Sequence, residues 1–254
     1  MKILRPTRLL LLALVAGALL YLLAGESDSD LELWHSEHLE EEFSAGKLNE
    51  ISSFADYLRL EERLFSEMGQ RVTSKIGTGP EFELVRYSAG SSADPQQFSP
   101  NWNRSIELPV KRPDGAVLLL HGMSDSPYSL RELALSLHQR NYWVLGLRLP
   151  GHGTIPSALK DVRWEDMDAA IKLAASHLLT KTGELPLHLV GYSTGAALAM
   201  SYTIDKMSGE DQALPASLTL ISPAIGIHPA AGLAGIKDWL SHLCLLYTSP
   251  SPRD

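Results

Sequence analysis

The chain has a single cysteine, Cys244, among its 254 residues. That excludes an intrachain disulfide and a multi-cysteine metal site, and it is compatible with either redox compartment. Excess basic charge is also missing: 22 Lys and Arg stand against 30 Asp and Glu, for a net charge of −8. Such a balance argues against a nucleic-acid partner, because phosphate binding needs a concentrated basic surface. No internal repeat or low-complexity tract is present, which excludes a repeat architecture. What remains is an ordinary globular composition, 44% hydrophobic and 20% charged. It suffices for one large α/β domain, or for a smaller domain with appendages.

Lys2, Arg5 and Arg8 precede an uninterrupted apolar run over residues 9–25. Seventeen residues at about 1.5 Å each cover roughly 25 Å, near the lower limit for crossing a bilayer. Basic residues before the run and acidic ones after it (Glu26, Asp28, Asp30, Glu32) put the N-terminus in the cytoplasm. Residues 1–25 are expected to be an uncleaved signal anchor rather than a cleaved signal peptide, since Leu23-Ala24-Gly25 is a poor small-x-small site. Either reading exports the body of the protein. The first gives a membrane-anchored domain (facing the periplasm, if the source is bacterial), the second a secreted one.

Residues 26–76 are acidic and read as a helical extension. Ile51, Phe54, Leu58, Phe65 and Met68 follow a three-to-four spacing, with Asp56, Arg59, Glu62 and Arg63 mostly on the other side. A solvated extension with one apolar stripe is expected over a membrane-proximal helix that packs on the following domain. Trp34, beside His35 and His38, suits a lipid surface; no metal-ligand spacing is completed around these histidines.

From residue 77 the pattern becomes that of an α/β unit. Residues 82–87 and 104–110 read as strands. Residues 116–120 form a continuous apolar run, as expected of a strand buried on both faces of a parallel sheet. Ser126-Pro127 then supplies an N-cap and a first helical proline. That helix should reach about Arg140, with Leu130, Leu133, Leu135 and Leu137 as its apolar positions. Strands at 142–149, 185–192 and 218–221 alternate with helices at 164–181 and 194–206. The fold class is α/β, a doubly wound, mostly parallel sheet with helices on both faces. Residues 77–243 would be its N-terminal part, with a lid starting near residue 225.

The chemistry concentrates at Gly191-Tyr192-Ser193-Thr194-Gly195. A bare G-x-S-x-G string is a weak signal; its position between Leu187-His188-Leu189-Val190 and Ala196-Ala197-Leu198-Ala199-Met200 gives it weight. A strand that turns sharply into a helix strains the central residue and exposes its hydroxyl at a helix N-terminus, with Gly191 and Gly195 needed to avoid collision. Ser193 is the candidate nucleophile. Acyl transfer also needs donors for the developing oxyanion. The Thr194 N–H is one by its place after Ser193, and the Met123 N–H, in His121-Gly122-Met123 after the run 116–120, is assigned as the other.

Three strings carry a family resemblance: Leu118-Leu119-Leu120-His121-Gly122-Met123-Ser124-Asp125-Ser126-Pro127, Arg148-Leu149-Pro150-Gly151-His152-Gly153-Thr154, and Val190-Gly191-Tyr192-Ser193-Thr194-Gly195. Ile221-Ser222-Pro223-Ala224 adds a fourth. Residues 82–243 resemble α/β hydrolases of the monoacylglycerol-lipase and serine-aminopeptidase-like group. The resemblance implies esterase or lipase activity on a carboxylic, lipid or small-molecule ester, without cofactor or metal. Peptidases, thioesterases and acyltransferases share these strings, and a non-catalytic binding module at the membrane is the reading from another class.

The general base in this fold follows the serine in chain order. His152 is therefore read as a loop residue near the pocket, Asp125 as a cap or turn residue, His188 as structural, and His138 and His177 as helix residues for which no partner is suggested. His228 and His242 follow Ser193, as do Asp205, Glu210, Asp211, Asp238 and Asp254. The two strands expected before the acid and the histidine do not appear, so the triad acid and base stay unassigned. Residues 244–254 match, residue for residue, the translation of a transposase adapter used in sequencing libraries. The natural sequence is expected to break off near Leu243, with on the order of a hundred residues to follow. On this reading the 254-residue chain is an inactive N-terminal part of an enzyme.

Overall fold

The computed structural model describes residues 31–209 and 214–226. The apolar run 9–25, nearly all of the expected lid 225–243, His228, His242 and the tail 244–254 lie outside them. Among the described residues no helix is long and apolar enough to cross a membrane.

A one-turn helix α1 (Leu33–Ser36) precedes the eighteen-residue helix α2 (Phe54–Arg71). Ser53 and Asp56 start α2 as a reciprocal capping box, each side chain accepting the other's backbone N–H, which satisfies two donors a helix start leaves open. The apolar stripe is present, but it is not solvated. Phe54, Tyr57 and Leu60 share one buried cluster with the sheet strands, while Leu64, Phe65 and Met68 pack with Leu39 and Ile155. The solvated extension is thereby corrected to a helix docked on the α/β unit. The Trp34 ring lies 5.0 Å from that of Tyr87 and packs on the second of these clusters.

Residues 82–87 do not form the expected strand. A turn of 3₁₀ helix (Pro80–Phe82) leads into tight turns closed by serine hydroxyls, Ser88 to the Gly77 carbonyl and Ser91 to the Val85 carbonyl, both at 2.7 Å. Hydroxyls that capture backbone carbonyls compete with a strand ladder.

The sheet holds β1 (Ile106–Leu108), β2 (Gly115–Leu120), β3 (Tyr142–Leu147), β4 (Leu187–Tyr192) and β5 (Ser217–Ile221). Its order is β1-β3-β2-β4-β5, with β1 antiparallel and the other pairs parallel. The helices between the parallel strands are α3 (Arg131–Gln139), α4 (Trp164–Thr182) and α5 (Thr194–Ser208). Successive side chains of a strand point to opposite faces. Val117 and Leu119 accordingly meet α3 on one face, and Leu118 and Leu120 meet α2, α4 and α5 on the other. That double burial explains why β2 is apolar at every position.

Ser126 caps a 3₁₀ turn (Pro127–Leu130), and α3 starts only after it. Leu130, Leu133 and Leu137 face the sheet, but Leu135 is 38% exposed and Ala134 is buried in its stead. One residue is a rotation of about 100° on a helix, enough to carry Leu135 off the apolar face.

Candidate active site

Ser193 sits between the last residue of β4 and the first of α5, with φ 52° and ψ −115°. Its backbone is pinned from three sides. The Ser193 N–H donates to the Ile221 carbonyl at 2.9 Å, and its own carbonyl accepts from Ala196 and Ala197 at 3.1 and 3.2 Å. The chain beyond β5 folds back so that the Ala224 N–H reaches the same carbonyl at 3.2 Å.

The two glycines of the turn have no room for a side chain. A Cβ on Gly191 would stand 2.4 Å from the Gly195 carbonyl oxygen, and one on Gly195 would stand 2.2 Å from the Leu120 carbonyl oxygen. The obstacles are backbone atoms, so no rotamer change relieves them. A Cβ on Gly122 would meet the Tyr192 ring at 3.1 Å and the Ser193 Cβ at 3.3 Å. The loop after β2 and the turn after β4 therefore touch. Met123 follows Gly122 and is 52% exposed. Among the described residues, neither the Met123 N–H nor the Thr194 N–H has a hydrogen-bond partner.

His121 is fully buried beneath this loop. Its Nε2 accepts the Leu149 N–H at 3.0 Å, so the ring proton must sit on Nδ1, which donates to the Gly122 carbonyl at 2.8 Å. Burial first, and then the neighbouring His152, push the His121 imidazole down to about 3. The ring is neutral. His152, also buried, stacks edge-on at 5.0 Å. Its Nδ1 bonds the Pro150 carbonyl at 2.8 Å, and its buried Nε2 has no partner among the described residues.

The remaining candidates disperse. Asp125 accepts the Ser126 N–H at 2.8 Å as a turn residue. His188 lies 2.7 Å from Ser217 Oγ. His177, for which the sequence suggested no partner, lies 2.8 Å from Glu107 Oε1 on the edge strand β1. Asp205 pairs with Lys172; Glu210, Asp211, Asp238 and Asp254 lie outside the described residues. Among the described residues no group of three or more His, Cys, Asp or Glu could hold a metal ion.

One group escaped the sequence reading. Arg148, in the motif after β3, is wholly buried and forks onto Glu42 at 3.1 and 3.2 Å, with a third bond to Glu61 at 3.1 Å. Its position between Leu147 and Leu149 was a signal, because an arginine at the end of a buried strand needs a carboxylate. Nothing local identified which one.

A mostly parallel sheet with helices on both faces and a serine at positive φ in a strand-to-helix turn define an α/β hydrolase. The sequence model described as serine aminopeptidase, S33, matches residues 111–250, more than half of the 254. The chain belongs to that family. Among solved structures, it is similar to a structure described under the metagenome-derived lipolytic enzymes LipS and LipT, at 27% identity and TM-score 0.45, over 52% of this chain and 51% of that one. It is also similar to a soluble variant of monoglyceride lipase from Saccharomyces cerevisiae, at 19% identity and TM-score 0.44, over 55% and 47% of the two chains. A third is the monoacylglycerol lipase of Paleococcus ferrophilus, at 19% identity and TM-score 0.39, over 55% and 51%. The chain spans about half the length of these structures.

Proposed function

We propose that the full-length protein is a serine hydrolase that cleaves carboxylic esters through an acyl-enzyme on Ser193. The observation that carries this is the contact between two loops. Gly122 lies against Ser193, which supports a reading in which the N–H groups of Met123 and Thr194 serve the hydroxyl-bearing turn together.

In the reaction, Ser193 Oγ attacks the ester carbonyl carbon while a base takes its proton. The carbonyl π electrons move to oxygen, and the oxyanion is held by the Met123 and Thr194 N–H groups. Collapse of this intermediate expels the alcohol, which leaves with the proton. Water then attacks the acyl-enzyme in the same way and frees the acid. No described histidine bonds Ser193, and both nitrogens of His121 are engaged by backbone. We place the base and its acid C-terminal to residue 226, following the serine in chain order.

A tethered, exported enzyme belongs to the same proposal, on the strength of Lys2, Arg5 and Arg8 ahead of the run 9–25. The substrate would then be an ester at the membrane, a lipid or lysolipid. Carbonate-resistant sedimentation with membranes, together with protease sensitivity from the outer side, is the expected behaviour. For the chemistry, a fluorophosphonate probe should label the full-length protein, and Ser193→Ala should abolish the label. Labelling that persists in the alanine variant would refute the assignment.

A further inference from the structure

We propose that Arg148, held by Glu42 and Glu61 of the N-terminal segment, is a positioning residue that fixes the Gly122–Met123 peptide beside Ser193. The proposal rests on the reading of Ser193 and Met123 given above.

A peptide unit is planar and trans, so its C=O and its N–H point in opposite directions. The Gly122 carbonyl and the Met123 N–H belong to one such unit. Whatever holds the carbonyl therefore aims the N–H. The holder is His121 Nδ1, and His121 is itself oriented by the Leu149 N–H on Nε2. Leu149 follows Arg148, and Arg148 is gripped at every polar atom. Its N–H donates to Ser105 Oγ at 3.0 Å and its carbonyl accepts from Tyr57 Oη at 2.7 Å. Its Nε donates to Glu61, its two Nη atoms donate to Glu42, and Nη1 also reaches the His152 carbonyl at 3.0 Å. Ser105 closes the ring by donating its N–H and its hydroxyl to Glu61 at 2.8 and 2.9 Å.

A planar fork on a carboxylate fixes direction as well as charge. The grip comes from outside the α/β unit: Glu42 precedes α2, and Tyr57 and Glu61 lie on it. A surface ion pair would leave the loop 149–153 free to shift. This one is buried, with Arg148 fully covered and Glu61 3% exposed. The N-terminal segment is thus part of the machinery that sets the oxyanion donor, and not merely a covering for apolar surface.

An oxyanion donor acts on the transition state and not on substrate binding. In the full-length protein, hydrolysis of a p-nitrophenyl ester should be measured per active site titrated with fluorophosphonate. Glu42→Gln and the gentler Tyr57→Phe keep size and shape while loosening the grip. We expect kcat per titrated site to fall about tenfold in Glu42→Gln and less in Tyr57→Phe, with KM unchanged. A boronate transition-state analogue should weaken in proportion. Arg148→Lys, which keeps the charge but loses the fork, should resemble Glu42→Gln. Variants that melt earlier yet keep wild-type kcat per titrated site and wild-type boronate affinity would overturn the proposal, leaving a purely structural network. Should wild type itself fail to label, or Ser193→Ala still label, the parent reading fails first and the two failures are told apart.

Discussion

The carbonyl oxygen of Leu120 lies 2.2 Å from the place a Cβ on Gly195 would occupy, and that of His121 lies 2.4 Å from it. Gly195→Ala must therefore push the first turn of α5 away from the end of β2, across the centre of the sheet. A loss of about 3 kcal/mol is expected, at the upper end of overpacking penalties. Gly69, inside α2, makes the contrast. A Cβ there meets nothing within 4 Å, so Gly69→Ala should gain about 0.5–1 kcal/mol from helix propensity alone. Urea denaturation of the two variants checks both signs. Equal effects would mean that the contact at Gly195 does not exist in solution.

Docking of α2 makes a second prediction. Leu64 is fully buried between the N-terminal segment and the α/β unit, whereas Leu135 on α3 is exposed although its neighbours face the sheet. Leu64→Ala should cost about 2–5 kcal/mol, as for other core leucines, and Leu135→Ala less than about 0.5 kcal/mol. Were the extension solvated, the first number would resemble the second. Thermal or urea unfolding of the two variants decides the matter.

These contrasts show what a sequence carries. The run 116–120 and the turn around Ser193 were legible because their signals are local: uniform apolarity for a doubly buried strand, and glycines two places either side of a serine. The role of α2 was not. Its stripe looks the same whether it faces the sheet, a partner or nothing, since an amphipathic pattern records that a face is covered and not by what. Residues 82–87 were misread because Phe82, Leu84, Val85 and Tyr87 favour a strand, while the serines that hold the turns act from positions 88 and 91. Arg148 had the least chance of all. Glu61 and Glu42 stand 87 and 106 residues away in sequence, and no periodicity joins groups that far apart.

Acid should weaken the fold through His121. Burial, then His152, depress its imidazole from an ordinary value of 6.5 to about 3, and burial depresses His152 in the same direction. Between those values the unfolded chain binds more protons than the native one, so stability rises with pH across the window and is fully present above 6.5. As pH falls from 6.5 towards 3, one such group removes stability at a slope approaching about 1.4 kcal/mol per pH unit. Melting temperatures from pH 7 to pH 4 should fall steeply for the wild type. They should fall less steeply for His121→Asn, which starts lower but has no imidazole to protonate. Parallel curves would show that His121 is not the group concerned.

Ser193 shares its backbone conformation with Gly183. The serine has φ 52° and ψ −115°; the glycine that ends α4 has φ 65° and ψ −127°. At 183 the chain uses the residue for which this region is unstrained, and a Cβ there would meet nothing within 4 Å. Gly183→Ala thus isolates the conformational penalty from any clash, and a loss of about 1–3 kcal/mol is expected. At 193 the same penalty is borne by a residue with a Cβ. Ser193→Gly should therefore be more stable than wild type by about 1 kcal/mol, the strain relieved less the extra entropy of a glycine in the unfolded chain. Ser193→Ala keeps the Cβ and should show no such gain. Both variants lose the hydroxyl, so fluorophosphonate labelling should vanish in each while their stabilities diverge. If urea titrations find Ser193→Gly no more stable than Ser193→Ala, the turn is not strained and the serine is not held there at a cost.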